Sequence, residues 1–316
     1  MSDSVDDHSR VISHGHDTAA SLAATIAATK ARISRSGVRP AAEVADLLRL
    51  VDELAGFPFG RFLLENRGWN GAWTDYVVTH PDGRRDTGID SDGRPLTPLE
   101  RQLLDSFPTV LATQERARHF AEVIQDHVRA GATLASIPCG LMRDLLARDY
   151  RRAAAVHLVG IDLDEESLAA ACCLAAGYGL AERTAFFRED AWHLAAEEEF
   201  DLIASNGLNI YEPDDGRVTE LYARFRRALK PGGILVTSFL TPPPGGAEPS
   251  PWDLQRVDAE ALERQRQVFV DILDARFQCY RSEATTAAQL VAAGFAPPRF
   301  IPDAARMFIT AVAERT

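Results

Sequence analysis

The sequence predicts an α/β fold: a doubly wound, mostly parallel seven-stranded sheet with helices on both faces, preceded by a largely helical N-terminal cap. Three observations predict it. From Gly131 onward short apolar segments alternate with amphipathic stretches, the pattern of strands joined by right-handed helical crossovers. Before that point apolar residues recur at three-and-four spacing, the period of helices. The composition, 46% hydrophobic and 25% charged over 316 residues, is that of an ordinary globular protein with one large or two modest domains.

Residues 1 to about 17 are polar and hold His8, His14 and His16, which read as a frayed tail rather than a metal trap, so no metal site is expected. Leu22, Ile26 and Ile33, then Val44, Leu47, Leu48, Val51 and Leu54, predict two helices interrupted at Gly37 to Pro40. Residues 61–98 mix Phe62, Trp69, Trp73 and Tyr76 with the turn dipeptides Asp82-Gly83 and Asp92-Gly93, predicting a loop-bearing segment with a small hairpin. Helices follow over Glu100 to Phe107 and from Pro108 to about Val128.

Strands are expected at 133–137, 156–161, 185–188 and 200–204, with helices starting at Gly140 and Glu165. A helix from Asp215 to Leu229 leads through a tight Lys230-Pro231-Gly232-Gly233 turn into a strand at 234–239. After the break at Pro242 to Pro251 come a helical insertion from Asp258 to about Phe277, a short helix ending near Gly294, and a closing hairpin of 299–301 with 307–312. The expected domains are a cap over 1–130 and a sheet domain over 131–316 with an insertion at about 242–280.

With 34 basic against 46 acidic residues the net charge is −12, and no basic stripe offsets it, so nucleic acid is not an expected partner. Cys139, Cys172, Cys173 and Cys279 show no C-x-x-C spacing and predict neither a zinc site nor a disulfide framework, consistent with a reducing, cytoplasmic compartment. Asp3, Asp6 and Asp7 stand where a secretory leader carries positive charge, and the apolar stretch Ala19 to Ala28 is too short to span a bilayer, so no membrane association is expected.

In an open parallel sheet the ligand-binding residues follow the strands directly. Here Ser136-Ile137-Pro138-Cys139-Gly140 follows the first strand and turns toward a helix start, where free N–H groups favour an anion. Asp162 ends the second strand, placed to accept hydrogen bonds from vicinal ribose hydroxyls. After the third strand, Asp190-Ala191-Trp192 joins a carboxylate, a backbone N–H and an indole, a set that suits an adenine ring. Small and amide-bearing residues, Ser205-Asn206-Gly207-Leu208-Asn209-Ile210-Tyr211, follow the fourth. Each signal is modest alone, and their joint order gives them weight.

This arrangement resembles the class I S-adenosylmethionine-dependent methyltransferases, Rossmann-like enzymes, over Leu134 to Thr241 and again over Thr286 to Phe295. Arg227-Ala228-Leu229-Lys230-Pro231-Gly232-Gly233 before Ile234-Leu235-Val236 is similar to the family's turn into its fifth strand. The resemblance implies S-adenosylmethionine as cofactor, with Asp162 on the ribose, Asp190 and Ala191 on the adenine, and Gly140 at the close approach. Ser136, Pro138, Cys139, Trp192, Asn206 and Gly207 complete the implied pocket. A dinucleotide dehydrogenase is disfavoured because G-x-G-x-x-G is missing. The first turn departs from the family pattern: Ser136 replaces the usual acidic residue and only Gly140 remains of the glycines. Arg143 and Asp144, or Arg116 and Gln114, are therefore the candidates for the methionine carboxylate and amine.

The aromatics from Glu65 to Tyr76 read either as a lid whose rings face the sulfonium or as a satellite core. Tyr211, Asn206, Asp75 and Tyr76 are the candidate catalytic residues, able to orient a nucleophile or take a proton. The expected activity is methyl transfer to a small molecule in a capped pocket, with oligomeric state left open and a homodimer included. Two alternatives are a cyclase that releases methylthioadenosine from the same cofactor, motivated by the atypical first turn, and a non-catalytic subunit.

Overall fold

A computed structural model describes residues 21–35, 40–246, 248–275 and 279–316; the histidine-bearing tail lies outside these. The chain begins with helices α1 (Leu22–Arg35), α2 (Ala41–Ala55), α3 (Pro58–Asn66), α4 (Gly71–Thr79), α5 (Arg84–Thr87), α6 (Pro98–Ser106) and α7 (Pro108–His127). It continues with β1 (Thr133–Ser136), α8 (Arg143–Leu146), β2 (His157–Asp162), α9 (Glu165–Gly177), β3 (Thr184–Arg188), β4 (Phe200–Ser205), α10 (Asp215–Ala228) and β5 (Leu229–Leu240). Last come α11 (Ala259–Arg266), α12 (Glu283–Ala292), β6 (Arg299–Pro302) and β7 (Phe308–Glu314). Two compact units result, divided within α7 between Gln114 and Glu115 rather than near residue 131.

Of the described residues, the helical unit comprises 21–35, 40–114 and the insertion 253–275. The insertion belongs here because Val268, Ile272 and Leu273 share one apolar cluster with Leu47, Val51 and Leu54 of α2 and Leu103 of α6. The segment expected as loop is largely helical, which corrects the sequence reading. Pro58 starts α3, and the Asn70 side chain accepts the Trp73 N–H at 3.1 Å to cap α4. The glycines around Asn70 mark a helix start, and Trp73, Tyr76 and Val77 carry the helical spacing that was passed over. The hairpin survives in minimal form as one antiparallel bridge, Ile89 with Pro95.

Trp73 stacks on Phe59 with centroids 4.9 Å apart, Trp69 stacks on the same ring at 5.7 Å, and Phe269 meets Trp69 edge-on at 6.2 Å. These rings pack on one another within the helical unit, the arrangement of a satellite core.

The sheet unit holds seven strands in the order β3-β2-β1-β4-β5-β7-β6, parallel except for β7, which runs antiparallel to β5 and β6. Helices cover both faces, and β1 stands between β2 and β4 where the strand order reverses. One face packs Ile203, Leu235, Tyr222 and Phe225; the other packs Leu134, Leu158, Leu202 and Phe120. Two boundaries differ from expectation. The helix expected from Gly140 is reduced to the four residues of α8, because Gly140 and Met142 both take left-handed conformations (φ 47° and 57°). The strand expected from Ile234 starts at Leu229, and its register against β4 shifts between Phe200 and Leu202 where 230–233 bulge outward.

Phe225 is fully buried between α10 and the sheet. Phe225→Ala should lower stability by about 3–5 kcal/mol, read as a reduced urea midpoint followed by intrinsic fluorescence or circular dichroism.

Candidate active site

The carboxyl ends of β1, β2 and β3 bring the predicted adenosine-binding residues together. Asp162, the last residue of β2, accepts the Gly140 N–H on Oδ2 at 2.9 Å and the Asp164 N–H on Oδ1 at 3.0 Å. Burial raises its pKa, and these backbone N–H groups oppose that by favouring the carboxylate. Each oxygen keeps acceptor capacity beyond these bonds, which a pair of hydroxyls can use.

Asp190 caps the turn after β3, accepting the Trp192 N–H at 3.0 Å and lying 3.0 Å from His193 Nδ1. Trp192 is buried, and its indole N–H donates to the Arg217 carbonyl at 2.9 Å. Asp162, Asp190, Ala191 and Trp192 line one cleft with Pro138, Ile137, Ile161 and Leu208. Apolar side chains interspersed with the carboxylates of Asp162, Glu189 and Asp190 suit a flat base carrying an amine and a sugar carrying hydroxyls.

The first turn is held by a pair only half foreseen. Ser136 donates its hydroxyl to Asp144 Oδ2 at 2.8 Å, and the Leu145 N–H reaches Oδ1 at 3.0 Å. A carboxylate thus stands beside the end of β1 although the strand itself supplies none. Burial pushes the Asp144 carboxyl up to about 6. Cys139 is buried, and burial with the negative charges of Asp162 and Asp144 pushes its thiol far up, so it packs as an uncharged residue.

After β4, Gly207 turns at φ 90° and Leu208–Tyr211 forms a short 3-10 turn. Asn206 lies 3.5 Å from the Ser238 hydroxyl. Arg281, absent from the sequence reading, anchors this loop from beneath. Its guanidinium donates to the carbonyls of Asn209 (2.9 Å) and Glu212 (2.7 Å) and to the Asp215 carboxylate (2.7 Å). No local motif marks it, since its partners lie roughly seventy positions away in sequence. Tyr211 closes the loop; burial raises its pKa and the positive Arg116 guanidinium opposes the rise.

The remaining candidates are placed elsewhere. Arg143 donates to the Tyr178 hydroxyl at 2.8 Å. Gln114 is engaged in the helical unit, donating to the carbonyls of Val77 and Leu104 at 3.3 and 3.0 Å. Asp75 and Tyr76 lie on α4 of that unit, where Tyr76 donates its hydroxyl to Glu100 at 2.8 Å and burial drives its pKa far up. A phenol so engaged and so hard to ionise is a poor proton acceptor.

The Asp144 carboxyl sets a pH dependence. Its pKa is higher in the fold than the ordinary 3.8, so between those values the folded chain holds a proton that the unfolded chain has lost. Its stabilising contribution is full below pH 4 and is lost as pH rises through about 6. Thermal melts from pH 4 to 7 should show wild-type stability falling relative to Asp144→Asn; parallel curves would contradict the assignment.

A family model described as "Methyltransferase domain" matches residues 139–233. A solved structure described as a possible exported protein from Bordetella parapertussis is 48% identical, with 93% of this chain and 95% of that chain covered and a TM-score of 0.86. The S-adenosylmethionine-dependent methyltransferase SibL in its apo form is 17% identical over 93% of this chain and 94% of its own, with a TM-score of 0.48. An uncharacterized protein of Haemophilus influenzae is 34% identical over 82 residues, so the match spans 26% of this chain and 32% of that protein. Among the described residues, no helix is long and apolar enough to cross a membrane. The strand order and the cleft at the ends of β1 to β3 accord with the family match, and residues 139–233 are similar to a methyltransferase domain.

Proposed function

We propose that the protein catalyses methyl transfer from S-adenosylmethionine to a nucleophile on a small molecule. One observation carries the reading: Asp162 and Asp190, at successive strand ends, line a single cleft beside the Gly140 turn. In this reading Asp162 accepts hydrogen bonds from the ribose hydroxyls, and Asp190 with the Ala191 N–H addresses the adenine edge. Pro138 and Leu208 bound the base, and the Ser136–Asp144 pair meets the amino group of the methionine arm.

The cofactor supplies a methyl group already activated on a sulfonium. The protein's part is therefore alignment, exclusion of water and removal of a proton where the acceptor requires it. Asn206 and Tyr211, on the loop that Arg281 anchors, are the residues proposed to orient the acceptor. Tyr211 acts as a neutral hydroxyl, since its burial disfavours the phenolate. The acidic surface, net −12, supports a small acceptor over a nucleic acid.

Titration calorimetry with S-adenosylhomocysteine tests the cleft. Asp162→Asn and Asp190→Ala should each weaken binding by about 1–3 kcal/mol, the cost of losing hydrogen bonds to a charged group; undiminished affinity in both would remove the assignment. Incubation with S-adenosylmethionine alone should yield no methylthioadenosine. Its appearance without an acceptor would replace transfer by cyclisation.

A further inference from the structure

Two arginines of the sheet unit are almost equally hidden, Arg281 at 4% and Arg116 at 5% exposure, yet they differ in kind. Arg281 has acceptors for its donors, as described above. Among the described residues Arg116 forms neither a hydrogen bond nor an ion pair, and its Nε is sealed from solvent without an acceptor. A buried guanidinium nitrogen without an acceptor is unfavourable, and the two terminal nitrogens keep access from which an arriving anion can be met.

Its surroundings hold the group without neutralising it. The guanidinium lies over the Phe308 ring, 4.2 Å from the centroid. Asp303 acts on it electrostatically but spends its two oxygens on the N–H groups of Ala305 (3.0 Å) and Phe308 (2.6 Å). Glu115, next in sequence, accepts the Ala304 N–H at 2.9 Å. Burial pushes Arg116 down to about 10, so it remains charged at neutral pH. Tyr211 is the polar group that remains within its electrostatic reach.

The position separates this site from the adenosine cleft. Phe308 opens β7 and pairs with Leu240 at the carboxyl end of β5, while Tyr211 follows β4. Arg116 therefore serves the β4-β5-β7 half of the carboxyl edge, and Asp162 and Asp190 serve the β2-β3 half, with β1 between. We propose that Arg116 forms a subsite for a carboxylate on the acceptor, making the substrate class a small organic acid. The inference rests on the methyl-transfer reading. The guanidinium's paired donors match a carboxylate edge to edge. The methionine carboxylate of the cofactor has the same chemistry, and the experiment distinguishes the two sources.

Benzoate and its neutral analogue benzamide are titrated by calorimetry into the full-length protein, with and without saturating S-adenosylhomocysteine. Arg116→Met and Arg116→Lys are compared with wild type after melts show that both are folded. Benzoate should bind the wild-type complex at least about tenfold more tightly than benzamide, and Arg116→Met should abolish that preference while Arg116→Lys keeps part of it. S-adenosylhomocysteine affinity should stay within about threefold of wild type in both variants. Equal binding of the two probes, or a preference that survives Arg116→Met, overturns the subsite. A fall of about tenfold or more in S-adenosylhomocysteine affinity, with 5′-methylthioadenosine binding unchanged, overturns it in favour of the cofactor's own carboxylate. Arg116-dependent benzoate binding by a protein that takes up no S-adenosylhomocysteine removes the methyl-transfer reading, and the acceptor assignment with it.

Discussion

The hydrogen bond from the Gly140 N–H to Asp162 is the constraint around which the cleft at the ends of β1 to β3 is organised. It ties the turn after β1 to the last residue of β2, so one carboxylate both shapes the loop and lines the cleft. The neighbouring Asp164 N–H fixes the second oxygen. Burial works against the charge and the backbone donors work for it, and the position of the carboxylate is the outcome of that balance.

The opposite half of the carboxyl edge depends on a different interaction. Arg281, brought from the segment before α12, fills the carbonyls of Asn209 and Glu212 and pairs with Asp215 at the start of α10. Asn209 in turn donates its amide to the Tyr222 hydroxyl at 3.0 Å. The loop bearing Tyr211 is thereby supported from the core, although the residues themselves form only a short 3-10 turn.

What the sequence made legible followed from local periodicity. The alternation after Gly131 made all seven strands legible, and the residues named at the ends of β2 and β3 line one cleft in the structure. The helices α3 and α4 were hidden because Pro58, Asn70 and Gly71 punctuate like loop residues while serving as helix starts. Asp144 was named without its partner, since the bond to Ser136 depends on a turn that no periodicity encodes. Arg281 was missed for a simpler reason: its role exists only through contacts between distant segments. Arg143 was a reasonable candidate by position, and its reach to Tyr178 is a matter of rotamer that sequence does not carry.

The brevity of α8 reaches beyond the turn that precedes it. A single helical turn sums few peptide dipoles, and its opening residue, Met142, sits in a left-handed conformation. The generic field that longer helices lend to phosphate-like groups is correspondingly weak at this spot. The polar groups at this spot are instead the discrete Ser136 hydroxyl and Asp144 carboxyl. Such a device can be retuned one residue at a time, so specificity could drift among descendants while the scaffold stays constant.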